Sequence, residues 1–423
     1  MIIHTVQPGD TIHSIAENYG VSVNWLMLHN RIEDPDRLIL GQSIVVLFPK
    51  QIYQVQQGDS LAGIADAHGT SILQLLRNNH YLSDREYIYP GEELIIRFTD
   101  DKMMEISTNG YAFPFINLQV LKKTLPYLTY LTVFYYRITM DGDLIPIDDQ
   151  EVIDTAKGYG VAPIMLISTL TSTGVADIEA AHSIFNSKEK QEKLIQTVLT
   201  TMKEKGYYGL NIDIQYIMQE DRQLYVDFVS SISIPLNQEG YRLFTTFTPS
   251  TFQTDTITIY QGPEYSMVGE VSDSTMLLGY EWGFSYSSKI AIPLSIVKER
   301  LDYSVTQIAA SKISIGLPTI GYIWELPYVE NQTIANAISH NSALELAWYF
   351  EATIQRDEAS MAPFFSYVDD KEHVVWFRDS KNIAALLEYV REYGLEGIGT
   401  WNIMNFAPGI WLVINAQFEI KKL

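Results

Sequence analysis

The segment Gly209-Leu210-Asn211-Ile212-Asp213-Ile214-Gln215-Tyr216 alternates strictly between apolar and polar side chains. A period of two marks a strand with unlike faces, so Leu210, Ile212 and Ile214 share one face and Asn211, Asp213 and Gln215 the other. Enclosing that polar face buries a carboxylate, which is costly unless the group has hydrogen-bond partners or a task. Asp213 is therefore a candidate for orienting a polar ligand; the plainer alternative is a structural acid satisfied by neighbouring hydroxyls. Gln215, nearer the carboxyl end, offers an amide donor and acceptor but no transferable proton near neutral pH. Metal chemistry is not indicated: the chain has no Cys, and its 8 His show neither H-x-H nor H-x-x-x-H spacing. No G-x-S-x-G or Walker motif is present, and no cofactor is expected.

The elements that must position these residues come from the apolar pattern of residues 103–423. Apolar runs at 104–107, 128–136, 162–168, 210–214, 243–247, 275–278, 313–317 and 397–401 read as strands, separated by helical patterns such as 191–205 and 382–393. Such a series predicts an α/β protein with a closed parallel (β/α)8 barrel. An open doubly wound sheet is the competitor, but no glycine-rich phosphate loop follows the first strand. In a barrel the polar face of 209–216 points into the lumen, with the site at the carboxyl ends of the strands. Phe364-Phe365-Ser366-Tyr367, Asp369-Asp370 and Val374-Val375-Trp376-Phe377 read as a hairpin in a small α+β insertion at about 322–380. Trp282, Trp324, Trp376 and Trp401 are candidates for lining a cleft, against the default reading of each as packing.

Residues 1–99 carry an internal repeat. His4-Thr5-Val6-Gln7-Pro8-Gly9-Asp10-Thr11 aligns with Tyr53-Gln54-Val55-Gln56-Gln57-Gly58-Asp59-Ser60 at an offset of 49 residues. Ile15-Ala16 matches Ile64-Ala65, Asn30 matches Asn79, and Gly41-Gln42 matches Gly91-Glu92 after one insertion. Each unit, 1–49 and 50–99, reads strand, helix, helix, strand, with Asp10 and Asp59 expected as helix N-caps. A short charged connection follows at 98–102. The 423-residue chain has a net charge of −22, which argues against binding phosphate backbones or anionic lipid. No apolar run is long enough to cross a membrane, and Met1–Thr5 has no basic leader, so synthesis in the cytoplasm without a signal peptide is expected.

The two repeats resemble LysM modules through their V-Q-x-G-D-[TS] openings, the Ile-Ala pairs, the asparagine after the second helix and the G-[QE] turns. That resemblance implies binding to peptidoglycan or another N-acetylglucosamine-containing glycan. Residues 209–216 resemble the fourth strand of glycoside hydrolase family 18, whose pattern is D-x-x-D-x-D-x-E. Gly279-Tyr280-Glu281-Trp282-Gly283, Gly316-Leu317-Pro318 with Gly321-Tyr322-Ile323-Trp324, and Gly397-Ile398-Gly399-Thr400-Trp401 resemble its sixth, seventh and eighth strands. The segment from His373 to Asp379 resembles the insertion hairpin of the spore cortex-lytic N-acetylglucosaminidase branch, which also carries two LysM modules. The resemblance implies substrate-assisted cleavage, in which the 2-acetamido oxygen attacks the anomeric carbon. It gives Asp213 and Tyr280 the acetamido group and places Gln215 at the general-acid position. Asn211, Glu281, Trp282, Tyr322, Trp324, Trp376, Arg378 and Trp401 are the implied substrate-binding residues.

The motif departs from the family pattern at Tyr208, Asn211 and above all Gln215, and Gly279 and Glu281 replace a threonine and an aspartate. Glutamine at the acid position is either an engineered exchange or natural decay. The expectation is a cortex-binding hydrolase scaffold with low or no activity unless residue 215 is a glutamate. Its expected place is the coat or cortex of an endospore former, made in the mother cell. The alternative is a catalytically silent glycan-binding or morphogenetic spore protein.

Overall fold

The computed structural model describes residues 1–83, 85, 87–171, 174–214, 217–247, 250–253, 258–261, 265–278, 292–329 and 332–423, with 250–253 and 258–261 described by backbone alone. Eight parallel strands close on themselves: β1 (Met104–Ala112), β2 (Tyr130–Ile138), β3 (Ala162–Ser168), β4 (Gly209–Asp213), β5 (Arg242–Phe247), β6 (Ser274–Leu278), β7 (Ile313–Pro318) and β8 (Gly397–Trp401). Each pairs with the next, and β8 pairs with β1, so the barrel has no open edge. The helices form the outer ring. Lys188–Lys205 begins at a Ser187 cap and ends at Gly206, whose φ of 71° suits a left-handed stop. It buries Leu194, Ile195, Val198 and Met202, one stripe at helical spacing, against the barrel. The sequence-predicted α/β barrel is thus the observed fold.

Between β7 and the last barrel strand stands a five-stranded antiparallel sheet, ordered Asn336–Ser339, Ile320–Glu325, Glu372–Trp376, Pro363–Val368 and Gln355–Arg356. One helix, α1 (His340–Tyr349), packs on it through Ala343 and Ala347. Two further helices, α2 (Ser380–Tyr393) and α3 (Pro408–Gln417), flank β8 in sequence.

The amino-terminal repeats fold as two βααβ modules. In the first, Ile2–Thr5 pairs antiparallel with Ser43–Val46 beneath Ile12–Tyr19 and Val23–Asn30; in the second, Pro49–Gln54 pairs with Glu93–Phe98 beneath Leu61–Ala67 and Ile72–Asn78. The shared asparagine has a clear task. Asn30 donates to the Leu26 and Val45 carbonyls and accepts from the Val45 N–H, and Asn79 does the same with Leu75 and Ile95. Its amide ties the last helical turn to the closing strand. The expected caps are corrected by one residue. Thr11 and Ser60 cap the helices, whereas Asp10 and Asp59 accept from the N–H of Gln7 and Gln56 and close the preceding turns. A carboxylate three residues after a free N–H is better placed to close the turn than to reach into the helix.

Both modules are fastened to the barrel. Module 2 sits near the amino-terminal ends of the strands, where buried Arg77 donates to the Pro126 carbonyl and the Tyr127 hydroxyl donates to the Arg77 carbonyl. The charged connection is pinned as well: the Met1 ammonium pairs with Asp100 at 2.5 Å and Lys102 with Glu419 at 3.1 Å. Between the modules His29 and His80 lie 6.3 Å apart, packed against Phe98 and Phe406, and burial pushes their pKa values down to about 3 and about 4.

Module 1 docks at the opposite end, on the amino-terminal ends of α2 and α3. There the Asp379 carboxylate accepts from the Asn382 N–H as the α2 cap, from the Ser43 hydroxyl of the module at 2.6 Å, and from the Arg356 guanidinium of the insertion at 2.6 Å. Burial alone would raise the Asp379 pKa, but the guanidinium, the hydroxyl and the cap outweigh it and hold the carboxyl below its usual range. Its contribution to stability is therefore complete above the unfolded-state pKa of about 3.9 and is lost as pH falls through the lower folded value. Asp379→Ala removes the α2 cap and the carboxylate partner of a guanidinium that is 15% exposed, and should cost about 3 kcal/mol in guanidinium unfolding at pH 7. Adding Arg356→Ala should restore part of that loss, and a double variant no more stable than Asp379→Ala would contradict the pairing.

Candidate active site

Inward positions of the barrel strands form layers. Asn211, on β4, donates to the Tyr111 hydroxyl of β1 at 3.0 Å and accepts from the Thr246 hydroxyl of β5 at 3.1 Å. Thr132 of β2 donates to Asn109 of β1 at 2.9 Å. The first of these bonds crosses the lumen and the other two join neighbouring strands, and together they satisfy buried polar atoms. Burial, with the charge of Asp213 adding to it, pushes the Tyr111 phenol well up, so it stays a neutral hydroxyl. Asp213 is the last residue of β4, buried at 5% exposure, in register with Ser168 at the carboxyl end of β3. The alternation read from the sequence thus puts Asn211 and Asp213 in the lumen, one above the other.

Above this polar layer lies an aromatic one. Trp401 ends β8 and meets Phe134 edge to face at 4.6 Å, with Tyr111 at 5.9 Å and Phe113 at 6.0 Å. Phe113 stacks on Phe115, whose ring is 77% exposed at the barrel mouth. An exposed aromatic ring and a carboxylate at the same end of the barrel offer a flat apolar face and a hydrogen-bonding group, the two things a sugar ring needs.

The insertion residues form a second group. Tyr322 and Trp376 face each other in register, Trp376 stacks on Phe364 at 4.5 Å, and Trp324 is fully buried beneath them. Arg378 is buried and donates to Asn382 at 3.3 Å. Ile320, the first residue of the insertion sheet, packs against both this cluster and the Trp401 cluster, so the two groups adjoin. Gln215, Tyr280, Glu281 and Trp282 lie outside the described residues. Among the described residues no group of acids and histidines is placed to hold a metal ion.

Sequence reasoning missed Tyr111, Phe113, Phe115, Phe134 and Thr246. Ending the first strand at residue 107 hid the alternation Asn109, Tyr111, Phe113, which would have put all three on the lumen face.

A closed parallel barrel with a buried carboxylate and a tryptophan at the carboxyl ends of its strands defines the chain as a (β/α)8 protein with its site at the mouth. The chain belongs to family 18 of the glycosyl hydrolases, whose model matches residues 166–405, and it carries two LysM domains matched at 4–46 and 53–97. It is 31% identical over 431 residues to a cortical fragment-lytic enzyme of Bacillus subtilis, covering 100% of this chain and 99% of the relative. It is 29% identical over 429 residues to a putative sporulation-specific glycosylase of the same organism, covering 100% of both. The crystal structure of the Bacillus megaterium spore cortex-lytic enzyme SleL superposes with a TM-score of 0.81 at 28% identity, covering 100% of this chain and 99% of that one. The sequence-predicted family, its cortex-lytic branch and its LysM modules are therefore as expected. Among the described residues no helix is long and apolar enough to cross a membrane.

Asn211→Leu keeps the bulk but leaves the Tyr111 and Thr246 hydroxyls each short of a partner. The cost should be about 1–3 kcal/mol, read from thermal or denaturant unfolding. Unchanged stability would mean that the cross-lumen bonds carry little weight.

Proposed function

We propose that the chain binds the N-acetylglucosamine-containing glycan of spore peptidoglycan through its LysM modules and holds a strand of it across the barrel mouth for substrate-assisted cleavage. The place of action is the spore coat or cortex. The main support is one coincidence: the match to the cortex-lytic relatives runs end to end, and Asp213 stands buried at the carboxyl end of β4 as Trp401 does at the carboxyl end of β8. In this reading Asp213 accepts from the acetamido N–H and turns its oxygen toward the anomeric carbon. Tyr280 donates to that oxygen. As the glycosidic bond breaks, the acetamido oxygen bonds to the anomeric carbon and the leaving oxygen requires a proton.

By its place in the motif, Gln215 takes the position that would supply that proton. An amide keeps the shape and hydrogen-bonding ends of a carboxylic acid but cannot protonate an alkoxide. Binding is therefore retained while the chemical step loses a contribution of about 10²–10⁴-fold. A second reading, a silent glycan-binding protein, is favoured by the further exchanges Gly279 and Glu281 in the sixth-strand segment.

Gln215→Glu decides between them. On cortex fragments it should raise reducing-end release by about 10²-fold or more with little change in affinity. Intact binding without any gain would identify the silent protein. Separately, Asp213→Ala should weaken binding of an N-acetylglucosamine oligomer by calorimetry, since a lost buried partner costs about 1–3 kcal/mol. Parent-like affinity would remove Asp213 from the site.

A further inference from the structure

Two cavities on the barrel's carboxyl-end side join into one trough. The first, of about 180 Å³, starts at Thr319 and Asn402, the residues that follow the ends of β7 and β8, and therefore beside Trp401. The second, of about 410 Å³, lies between α1 of the insertion, the start of α3 and the 31–42 connection of module 1. They share Ser339, His340, Asn341, Asn405 and Phe406, so the lining is continuous from the mouth to the module.

The far wall of this trough is fixed. Gly41 has a φ of +84°, and a Cβ there would lie 1.9 Å from the Ile354 carbonyl oxygen, so the module backbone touches the insertion with no room between them. The Ile354 N–H donates to the Leu40 carbonyl at 2.9 Å, and the Ser43–Asp379–Arg356 bonds lie just beyond. Across the trough the Arg37 guanidinium lies 5.5 Å from the Trp348 ring, holding an indole that remains 39% exposed.

The lining sets two arginines, Arg31 and Arg37, against three carboxylates, Glu33, Asp34 and Glu345. With the overall charge of −22, that balance does not favour a polyanion. Carboxylates and amides that accept from hydroxyls, beside an exposed indole, suit a neutral polyhydroxylated chain. We infer that the trough is a distal binding site for the same N-acetylhexosamine strand whose other segment occupies the barrel mouth. This inference rests on the proposed glycan-binding function and adds a site made jointly by module 1 and the insertion.

Calorimetry of the full chain with the disaccharide and the octasaccharide of β-1,4-linked N-acetylglucosamine tests it. Trp348→Ala should weaken octasaccharide binding about tenfold and leave the disaccharide unaffected, because only the longer ligand reaches past the mouth. Glu345→Lys, an exchange of an exposed side chain, should act in the same direction and guards against a folding artefact of the first variant. Octasaccharide affinity equal to the parent in both variants overturns the trough and leaves the proposed function standing. An equal loss for both ligands also overturns it, by placing the effect at the mouth or in the fold. A parent chain that binds neither ligand overturns the proposed function and this inference together.

Discussion

Closing eight parallel strands leaves an inward side chain nowhere to go but the lumen, and the rest of the molecule follows from that constraint. Every second residue must be either apolar and packed or polar and bonded to another strand. The chain does both, in layers: Asn109, Thr132, Asn211 and Thr246 bond to inward groups of other strands, and Tyr111, Phe134 and Trp401 pack above them. A carboxylate such as Asp213 is tolerable only at the rim, where the polar layer gives way to the mouth. The barrel therefore creates its own site: it pushes the polar end of β4 to the one place where a ligand can reach it.

The features legible in the sequence were those of short range. Period-two alternation put Asn211 and Asp213 on one face, and the repeat at an offset of 49 residues exposed both modules. The helix caps were misplaced by one residue because an acid in a turn and a hydroxyl at a cap share the same few positions. Trp401 had the best claim from its place at a strand's carboxyl end, but Trp324 and Trp376 could not be told apart, since an aromatic in a strand looks the same whether it fills a core or floors a cleft. The packing puts Trp324 fully buried in the insertion and Trp376 stacked on Phe364. Long-range pairing was beyond reach altogether: Ser43 and Asp379 lie 336 residues apart, and nothing local in either residue announces the other.

The relatives' cortex-lytic names and the glutamine at position 215 pull in different directions, and the proposed function accommodates both in one chain. Binding depends on shape, on the aromatic layer and on hydrogen bonds that an amide can also make. Bond cleavage depends in addition on one proton. A barrel can lose the second and keep the first, because Asn211 is held by the Tyr111 and Thr246 hydroxyls of the barrel itself.

On the proposed function, with module 1 holding wall glycan, its mounting also governs how the protein travels. A catalytic barrel on a flexible tether sweeps many strands around a single point of attachment. Here Gly41 lies flush against Ile354 and Asp379 grips both Ser43 and Arg356, so anchor and barrel move as one body. Such a body meets each strand at one angle and one distance. It gives up the area it could search for a fixed registry between the point of attachment and the point of attack, and it advances across a wall by letting go and rebinding.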